Sequence, residues 1–299
     1  LLFAHKVLGR KGLWVILFPV VCYLFITGKV ARAASKQFLV QVNNYNNVER
    51  KVTFKQQLMH FCSFADSALD KIDGWLGRIS KKDIQYTNEQ LFIDLNEQQQ
   101  GAIFIGSHLG NLEVCRALSQ HRSSKKINVL VFTHHAVEFN KMLKKINPAV
   151  SVNLIQVSDM GPDLAILLKD KVEQGEIVVI VGDRTSATTG ERSTRVEFLG
   201  KPASFSQGPF ILAALLDCPV YFLFCLKDKK TKKYHVIFEH YSQTLKIPRS
   251  QRQGLLTTVI TDFSARLGFY AARYPYQWFN FYDFWQNDQQ VERSNAKEK

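Results

Sequence analysis

The sequence lacks the cysteine patterns of secreted and zinc-binding proteins. Its five cysteines are an odd number, and no two of them form a C-x-x-C pair. Scattered thiols of this kind indicate a reducing compartment, whereas disulfide frameworks are typical of small oxidised domains. The zinc-peptidase motif H-E-x-x-H and the serine-hydrolase motif G-x-S-x-G are also absent. We therefore expect a cytosol-facing domain with reduced thiols and without a metal site.

Acidic residues are scarce relative to basic ones. The chain has 39 Lys and Arg against 26 Asp and Glu, which gives a formal net charge of +13 over 299 residues. This excess favours anionic partners, namely nucleic acid, an acidic membrane surface or an acidic carrier protein. The charge is the sole argument for nucleic acid, because no recognisable binding motif accompanies it. An apolar content of 46% excludes general disorder.

One stretch near the beginning of the chain carries no charge at all. It reads GLWVILFPVVCYLFITG and lies between Lys11 and Lys29. A helix of about 17 residues is about 26 Å long, slightly short of a bilayer core of about 30 Å. The stretch is therefore marginal as a span and suitable as a membrane-inserted anchor. A secretory signal and a buried core helix are the alternatives, and the basic residues on both sides favour the anchor without deciding its orientation.

Two periodicities follow the apolar stretch. Apolar residues recur at spacings of three and four over residues 31–79, which predicts helices. From about residue 101, short β-branched runs alternate with amphipathic segments, as in an α/β sheet covered by helices on both faces. The predicted strands are Ala102–Ile105, Ile127–Phe132, Val152–Val157, Ile177–Val181, Val220–Leu226 and Tyr234–Phe238. The predicted helices are Leu112–Ser119, Val137–Ile146, Gly161–Glu173, Ser206–Leu216 and Gln251–Tyr274.

These patterns predict the fold class and the organisation of the chain. The fold is expected to be α/β, with a central, mostly parallel or mixed sheet flanked by helices. A membrane-anchoring helix and a helical lead-in precede the sheet. The expected divisions are an anchor at 1–30, a lead-in packed on the core at 31–100, the α/β core at 101–285 and a polar tail at 286–299.

The segment IFIGSHLGNLE at 103–113 places a histidine and a glutamate where a strand becomes a helix. His108 follows the carboxyl end of the strand, where open α/β sheets bind ligands. Glu113, in the first helical turn, could accept a hydrogen bond from His108, fix its tautomer and stabilise the imidazolium. Such a pair could deprotonate a bound alcohol, which then attacks an acyl group. The alternative is a core histidine beside a glutamate that the helix dipole favours.

Four segments, in order, resemble one protein family. SHLGNLE is similar to the H-x-x-x-x-(D/E) block of the bacterial lipid A late acyltransferases, within the lysophospholipid acyltransferase superfamily. VGDRTS at 181–186 resembles the second block of that family, and 196–222 resembles its F-F-G-x-P-A stretch. RYPYQWFNFYDFW at 273–285 resembles the terminal block, although Tyr276 stands where many members carry Glu. The resemblance covers most of residues 1–285 and suggests a divergent branch of the family.

The resemblance implies an O-acyltransferase of the bacterial inner membrane, with its catalytic domain on the cytoplasmic side. An acyl carrier protein or coenzyme A would donate a fatty acyl chain, and a hydroxyl of a lipid or glycolipid would accept it, as in lipid A and lipopolysaccharide biosynthesis. His108 would be the base and Glu113 its orienting partner, without a further cofactor. Residues expected to bind substrate are Gly110, Asn111, His134, Asp183 and Arg184.

Several of these expectations have alternatives. Asn111 could cap the helix or bind an oxyanion, Arg184 could bind phosphate or form a salt bridge with Asp183 or Glu191, and Asp183 is expected to hold its loop. Exposed lysines could dock an acidic carrier protein or anionic headgroups, or form an ordinary solvated face. They are Lys125, Lys126, Lys141, Lys144 and Lys145. The competing function is a non-catalytic, membrane-tethered lipid-binding module with the same fold.

Overall fold

A computed structural model describes residues 2–112, 125–131, 153–157, 161–184 and 192–286 of the chain. The helices, in chain order, are α1 (Leu2–Thr27), α2 (Lys29–Tyr45), α3 (Phe54–Trp75), α4 (Glu89–Glu97), α5 (Pro162–Glu173), α6 (Gly208–Leu216) and α7 (Arg252–Arg273). The strands are β1 (Ile84–Thr87), β2 (Ala102–Gly106), β3 (Ile127–Val131), β4 (Asn153–Gln156), β5 (Ile177–Val181), β6 (Ser193–Phe198), β7 (Lys201–Ser206), β8 (Val220–Lys227) and β9 (Tyr234–Ser242).

The chain divides into two compact units. The first contains the residues up to Ile72, the segment Arg195–Ser204 and the residues from Ser264 onwards. The second contains Asp73–Thr194 and Phe205–Phe263. The short β6–β7 sheet and helix α7 contribute residues to both units.

The second unit is built on a seven-stranded sheet with the order β1-β9-β8-β2-β5-β3-β4. The five strands from β8 to β4 in this order run parallel, whereas β9 is antiparallel to β8 and β1 is parallel to β9. The fold is therefore α/β with a mostly parallel central sheet, which confirms the fold class expected from the sequence.

The two central strands explain why the sheet forms where it does. β2 reads AIFIG and is buried throughout, and β5 reads IVVIV and is buried over its first four residues. Continuous apolar runs of this kind are typical of parallel strands that are covered on both faces. On one face, Phe104 and Val179 pack with Leu223 of β8 and Phe238 of β9 in a single cluster. This apolar centre holds β2 and β5 side by side.

The first unit contains the apolar helix α1, which packs along α3 in the opposite direction. The ring of Phe25 in α1 lies 4.6 Å from that of Phe54 and 5.0 Å from that of Phe61, both in α3. At the other end of the contact, Arg10 forms an ion pair of 2.6 Å with Asp70 and a second one with Asp66. The two helices therefore remain in contact along most of the apolar stretch.

A buried histidine joins three segments of the first unit. His60 of α3 is fully buried, and Ser35 of α2 lies 3.0 Å from its Nδ1. The Nε2 atom of His60 lies 3.0 Å from the carbonyl oxygen of Trp278, which follows α7. The ring therefore donates its one proton to Trp278 and accepts from the Ser35 hydroxyl. Burial lowers the pKa of His60 to about 4, because desolvation penalises the charged ring.

The sequence prediction was accurate for the parallel strands of the central sheet and missed three other strands. Strand Ile177–Val181 and the helix ending at Glu173 agree with β5 and α5, and α4 lies within the expected helical lead-in, whereas the strands β1, β6 and β7 were missed. Strand β1 lies within the region for which helices alone were expected, and it joins the sheet through β9. Residues 46–53 separate α2 from α3. The expected division of the chain at residues 30, 100 and 285 stays a prediction.

Candidate active site

Two loops leave the same edge of the sheet side by side, at the carboxyl ends of β2 and β5. The strands are parallel neighbours, and their last residues, Gly106 and Val181, are paired. The Gly182 N–H continues the ladder by donating to the Gly106 carbonyl oxygen at 2.9 Å. Because the register persists past the strand ends, the two loops that begin here stay close together. Parallel α/β sheets usually bind ligands at this edge.

The two loops bring His108 and Asp183 into direct contact. One carboxylate oxygen of Asp183 lies 2.8 Å from Nδ1 of His108. The other carboxylate oxygen accepts the backbone N–H of His108, also at 2.8 Å. The Asp183 side chain is 1% exposed, whereas that of His108 is 32% exposed. The carboxylate is thus buried behind the imidazole and holds both its ring and its backbone.

This arrangement determines which ring nitrogen can act as a base. A buried carboxylate accepts hydrogen bonds, so the proton of the neutral imidazole belongs on Nδ1 and the lone pair on Nε2. The carboxylate also stabilises the positive charge that appears when Nε2 takes up a proton. Chemically, the pair can therefore remove a proton from a hydroxyl group that reaches the Nε2 side of the ring.

Close packing holds each of the two loops in position. Gly110 has a φ angle of 78°, and a Cβ atom at this position would collide with the Cys225 carbonyl oxygen of β8. The next residue, Asn111, is buried and donates its backbone N–H to the same carbonyl at 2.8 Å. On the other loop, a Cβ at Gly182 would press on Ile105 and Phe263. At Gly110 and Gly182 the close packing thus leaves no room for a side chain.

The remaining residues of the expected site are distributed as follows. Arg184 follows Asp183 directly and is exposed. Gly110 and Asn111 lie in the His108 loop, and Asn111 immediately precedes a helical residue, the position required for a helix cap. Glu113 and His134 lie outside the described residues. For all five of these remaining residues, a role in catalysis or substrate binding stays a prediction.

In the structure the carboxylate beside His108 belongs to Asp183, to which the sequence analysis gave a different role. Asp183 was expected to hold its loop, and Glu113 was expected to orient the ring. The signal that could have indicated Asp183 is its position directly after the buried strand β5, inside a block that resembles the family. The missing information was that β5 lies next to β2, since the chain order places β3 and β4 between them.

Two of the lysines expected to dock an anionic partner lie at the opposite edge of the sheet. Lys125 precedes β3 and donates to the carbonyl oxygens of Gln100 at 2.9 Å and Gly175 at 3.0 Å, near the amino ends of β2 and β5. Burial lowers the pKa of Lys125. Lys126 lies 3.6 Å from the carboxylate of Glu176. Lys125 therefore links the amino ends of β2 and β5, whereas Lys126 is largely exposed and forms a weak surface pair, and both lie away from His108.

Comparison with known proteins identifies the family of the chain. Residues 46–253 match the family described as bacterial lipid A biosynthesis acyltransferase. A comparison with curated proteins finds no significant match. Within the described ranges, no group of three or more His, Cys, Asp and Glu residues is arranged to hold a metal ion. The family match covers more than two thirds of the chain and includes both His108 and Asp183. The chain therefore belongs to the bacterial lipid A biosynthesis acyltransferase family.

Proposed function

We propose that this member of the lipid acyltransferase family transfers a fatty acyl chain from an acyl thioester to a hydroxyl group of a lipid or glycolipid, with His108 as the general base. The observation that carries the proposal is the hydrogen-bonded pair of His108 and Asp183 at the carboxyl edge of the sheet. In this proposal Asp183 is a positioning residue, because it acts through the ring and not on the substrate. Glu113 follows on the same segment as a second carboxylate whose contribution is to be tested.

The reaction can be written so that every proton is accounted for. Nε2 of His108 removes the proton of the acceptor hydroxyl as its oxygen attacks the thioester carbonyl carbon. The C–S bond then breaks, and the imidazolium returns the proton to the leaving sulfur, which gives an ester and a thiol. The donor is an acyl carrier protein or coenzyme A thioester, and the step needs no further cofactor. General base catalysis of this kind typically contributes about 10²–10⁴-fold to the rate.

A direct assay separates this function from a non-catalytic lipid-binding module. The full chain is incubated with an acyl-carrier or coenzyme A thioester and a bacterial lipid extract, and thiol release and acylated lipid are both measured. We expect the two products in equal amounts and their loss in His108→Ala. A folded wild-type protein that binds lipid without releasing thiol would support the binding module instead.

The proposal places the protein at the inner membrane, with the second unit on the cytoplasmic side. Within the described residues, one helical stretch, Gly9–Thr27, is long and apolar enough to cross a membrane, and 17% of it is buried. Several of its apolar side chains are exposed, among them Val15 at 74% and Ile26 at 64%. Phe54 and Phe64 of the neighbouring α3 are also exposed, at 63% and 49%. An apolar surface of this kind is typical of membrane contact.

The packing of α1 supports an anchor that lies in one leaflet over one that spans the bilayer. Helix α3 packs along α1 from Arg10 to Phe25, and its buried His60, midway along this contact, is hydrogen-bonded to Ser35 of α2. A spanning α1 would draw His60 and this part of α2, which carries the exposed Lys36, into the hydrocarbon core, where polar and charged groups are costly. A tag on the N-terminus should therefore resist protease from the periplasmic side and be cleaved in inverted vesicles. Cleavage from the periplasmic side would favour a span.

A further inference from the structure

An open depression on the second unit is lined almost entirely by polar and basic side chains. Its volume is about 560 Å³, and it lies where β6 begins, α6 begins and α7 begins. Three arginines contribute to its wall, together with two serines and two glutamines. The lining residues are Arg192, Ser193, Gln207, Arg249, Ser250, Arg252 and Gln253.

Within the described residues, the positive charge of this depression is not neutralised by ion pairs. Among the described residues, no carboxylate forms an ion pair with Arg192, Arg249 or Arg252. The first turn of α6 and that of α7 contain no acidic residue. A 3-10 turn over Arg249–Gln251 runs directly into α7, so Arg249 and Arg252 both lie near the beginning of this helical segment, where the positive end of the helix dipole disfavours a cation. Three guanidinium groups and the positive ends of two helix dipoles therefore make the electrostatic potential in the depression positive.

The wall of the depression is held in position by hydrogen bonds. Gln207 is 5% exposed, and its side-chain amide donates to Thr194 Oγ1 at 2.9 Å and to the Ser193 carbonyl oxygen at 3.3 Å. Its backbone N–H donates to the Arg192 carbonyl oxygen at 2.9 Å. The start of β6 is thereby attached to the start of α6. A preformed wall of this kind reduces the entropic cost of binding a ligand.

The depression is connected to the candidate active site through α6. Phe210 lies in the first turn of α6, three residues after Gln207, and a Cβ atom at Gly182 would touch its ring at 3.4 Å. Gly182 immediately precedes Asp183. A ligand in the depression is therefore one helical turn and one side chain away from the loop that holds His108.

We propose that this depression binds a phosphate group of one of the substrates. Arginine is suited to this task, since its planar guanidinium binds phosphate oxygens in pairs, and serine hydroxyls add further donors. The inference rests on the proposed acyl transfer for the identity of the substrate. Both partners of that reaction can carry phosphate, the acceptor in its headgroup and the donor in its phosphopantetheine arm or in coenzyme A.

Binding is tested first, independently of turnover, with inorganic pyrophosphate in titration calorimetry on the 299-residue chain. The variant is Arg192→Gln/Arg249→Gln/Arg252→Gln, and we expect its dissociation constant to rise about tenfold or more. The matched control, Lys229→Gln/Lys230→Gln/Lys233→Gln, removes the same charge from the exposed turn between β8 and β9. It should bind pyrophosphate as the wild type does. Equal affinity in the wild type and the arginine variant, or no binding by the wild type, would overturn the proposal.

Turnover then distinguishes the two sources of phosphate. A raised KM for a phosphorylated glycolipid acceptor, with kcat and the donor KM unchanged, would assign the depression to the acceptor. A raised KM for the thioester alone would assign it to the donor. Unchanged KM values for both, despite lost pyrophosphate binding, would refute a role in substrate binding. If the wild type binds pyrophosphate but transfers no acyl chain, the proposed function fails and the anion site remains.

Discussion

Acidification is expected to weaken the first unit through one buried histidine. His60 is neutral in the folded protein, where its pKa is about 4 against an ordinary value of 6.5. Between these two values the unfolded chain binds a proton that the folded chain does not, so the free energy of unfolding falls as the pH falls. The stability that depends on a neutral His60 is thus fully present above pH 6.5 and is lost on the way to pH 4.

The expected magnitude follows from the two pKa values. A difference of 2.5 units between 6.5 and 4 corresponds to about 3 kcal/mol of lost stability at pH 4. Other groups also titrate in this range, so the contribution of His60 is measured against a control. His60→Gln removes the titration, and its amide can still donate to Trp278 and accept from Ser35. The assay is denaturant unfolding of both proteins at a series of pH values, followed by tryptophan fluorescence.

The quantity to compare across pH is the difference in unfolding free energy between His60→Gln and the wild type. We expect it to shift by about 3 kcal/mol in favour of His60→Gln as the pH is lowered from 7 to 4. A difference that stays constant over this range would refute the reasoning, because it would mean that the ring binds its proton with the same pKa in the folded and the unfolded chain. Titration of the His60 ring by NMR gives an independent reading of the same pKa.

Two further substitutions test the packing on which the two units depend. Gly110→Ala should destabilise the protein by at least about 2 kcal/mol, because its Cβ collides with the Cys225 carbonyl in addition to the strain at positive φ. Gly200→Ala, at a φ of 81° with nothing within 4 Å, is the control for strain alone and should cost about 1 kcal/mol; equal losses in denaturant unfolding would contradict the collision. Asp70→Asn should cost about 2 kcal/mol and speed proteolysis of α1, since Asp70 is 5% exposed and pairs with Arg10. Asp73→Asn, in a longer and more exposed pair with Arg78, should cost less than about 1 kcal/mol, and the opposite order would argue against the anchoring role of Arg10.

Local sequence patterns were sufficient to locate the central strands and the histidine loop. The runs at 103–105 and 177–181 are short, β-branched and bounded by glycine, so they read as buried strands without any knowledge of the fold. The carboxyl end of β2 was therefore recognisable as a place for a site. By contrast, β1 has four residues with one buried side chain, and its apolar signal was too weak to be separated from the helical pattern around it.

Contacts between distant segments were not accessible in the same way. The pairing of His108 with Asp183 spans 75 residues and depends on β5 lying beside β2. The arginine-lined depression likewise combines residues near 192 with residues near 250. Sequence periodicity describes one element at a time, and strand order is decided by the packing of the whole sheet. The nearest carboxylate in the sequence was therefore chosen as the partner of the imidazole.

The most direct test of the central claim is the turnover number of Asp183→Asn in the thiol-release assay. An amide can accept the backbone N–H of His108 only by turning its NH₂ group towards Nδ1, which then has to accept a hydrogen bond, so the single ring proton moves to Nε2. The ring would remain in place without a lone pair for the acceptor hydroxyl. We expect kcat to fall by about 10²–10⁴-fold, with an unfolding midpoint close to that of the wild type. A kcat within about threefold of the wild-type value would contradict the account.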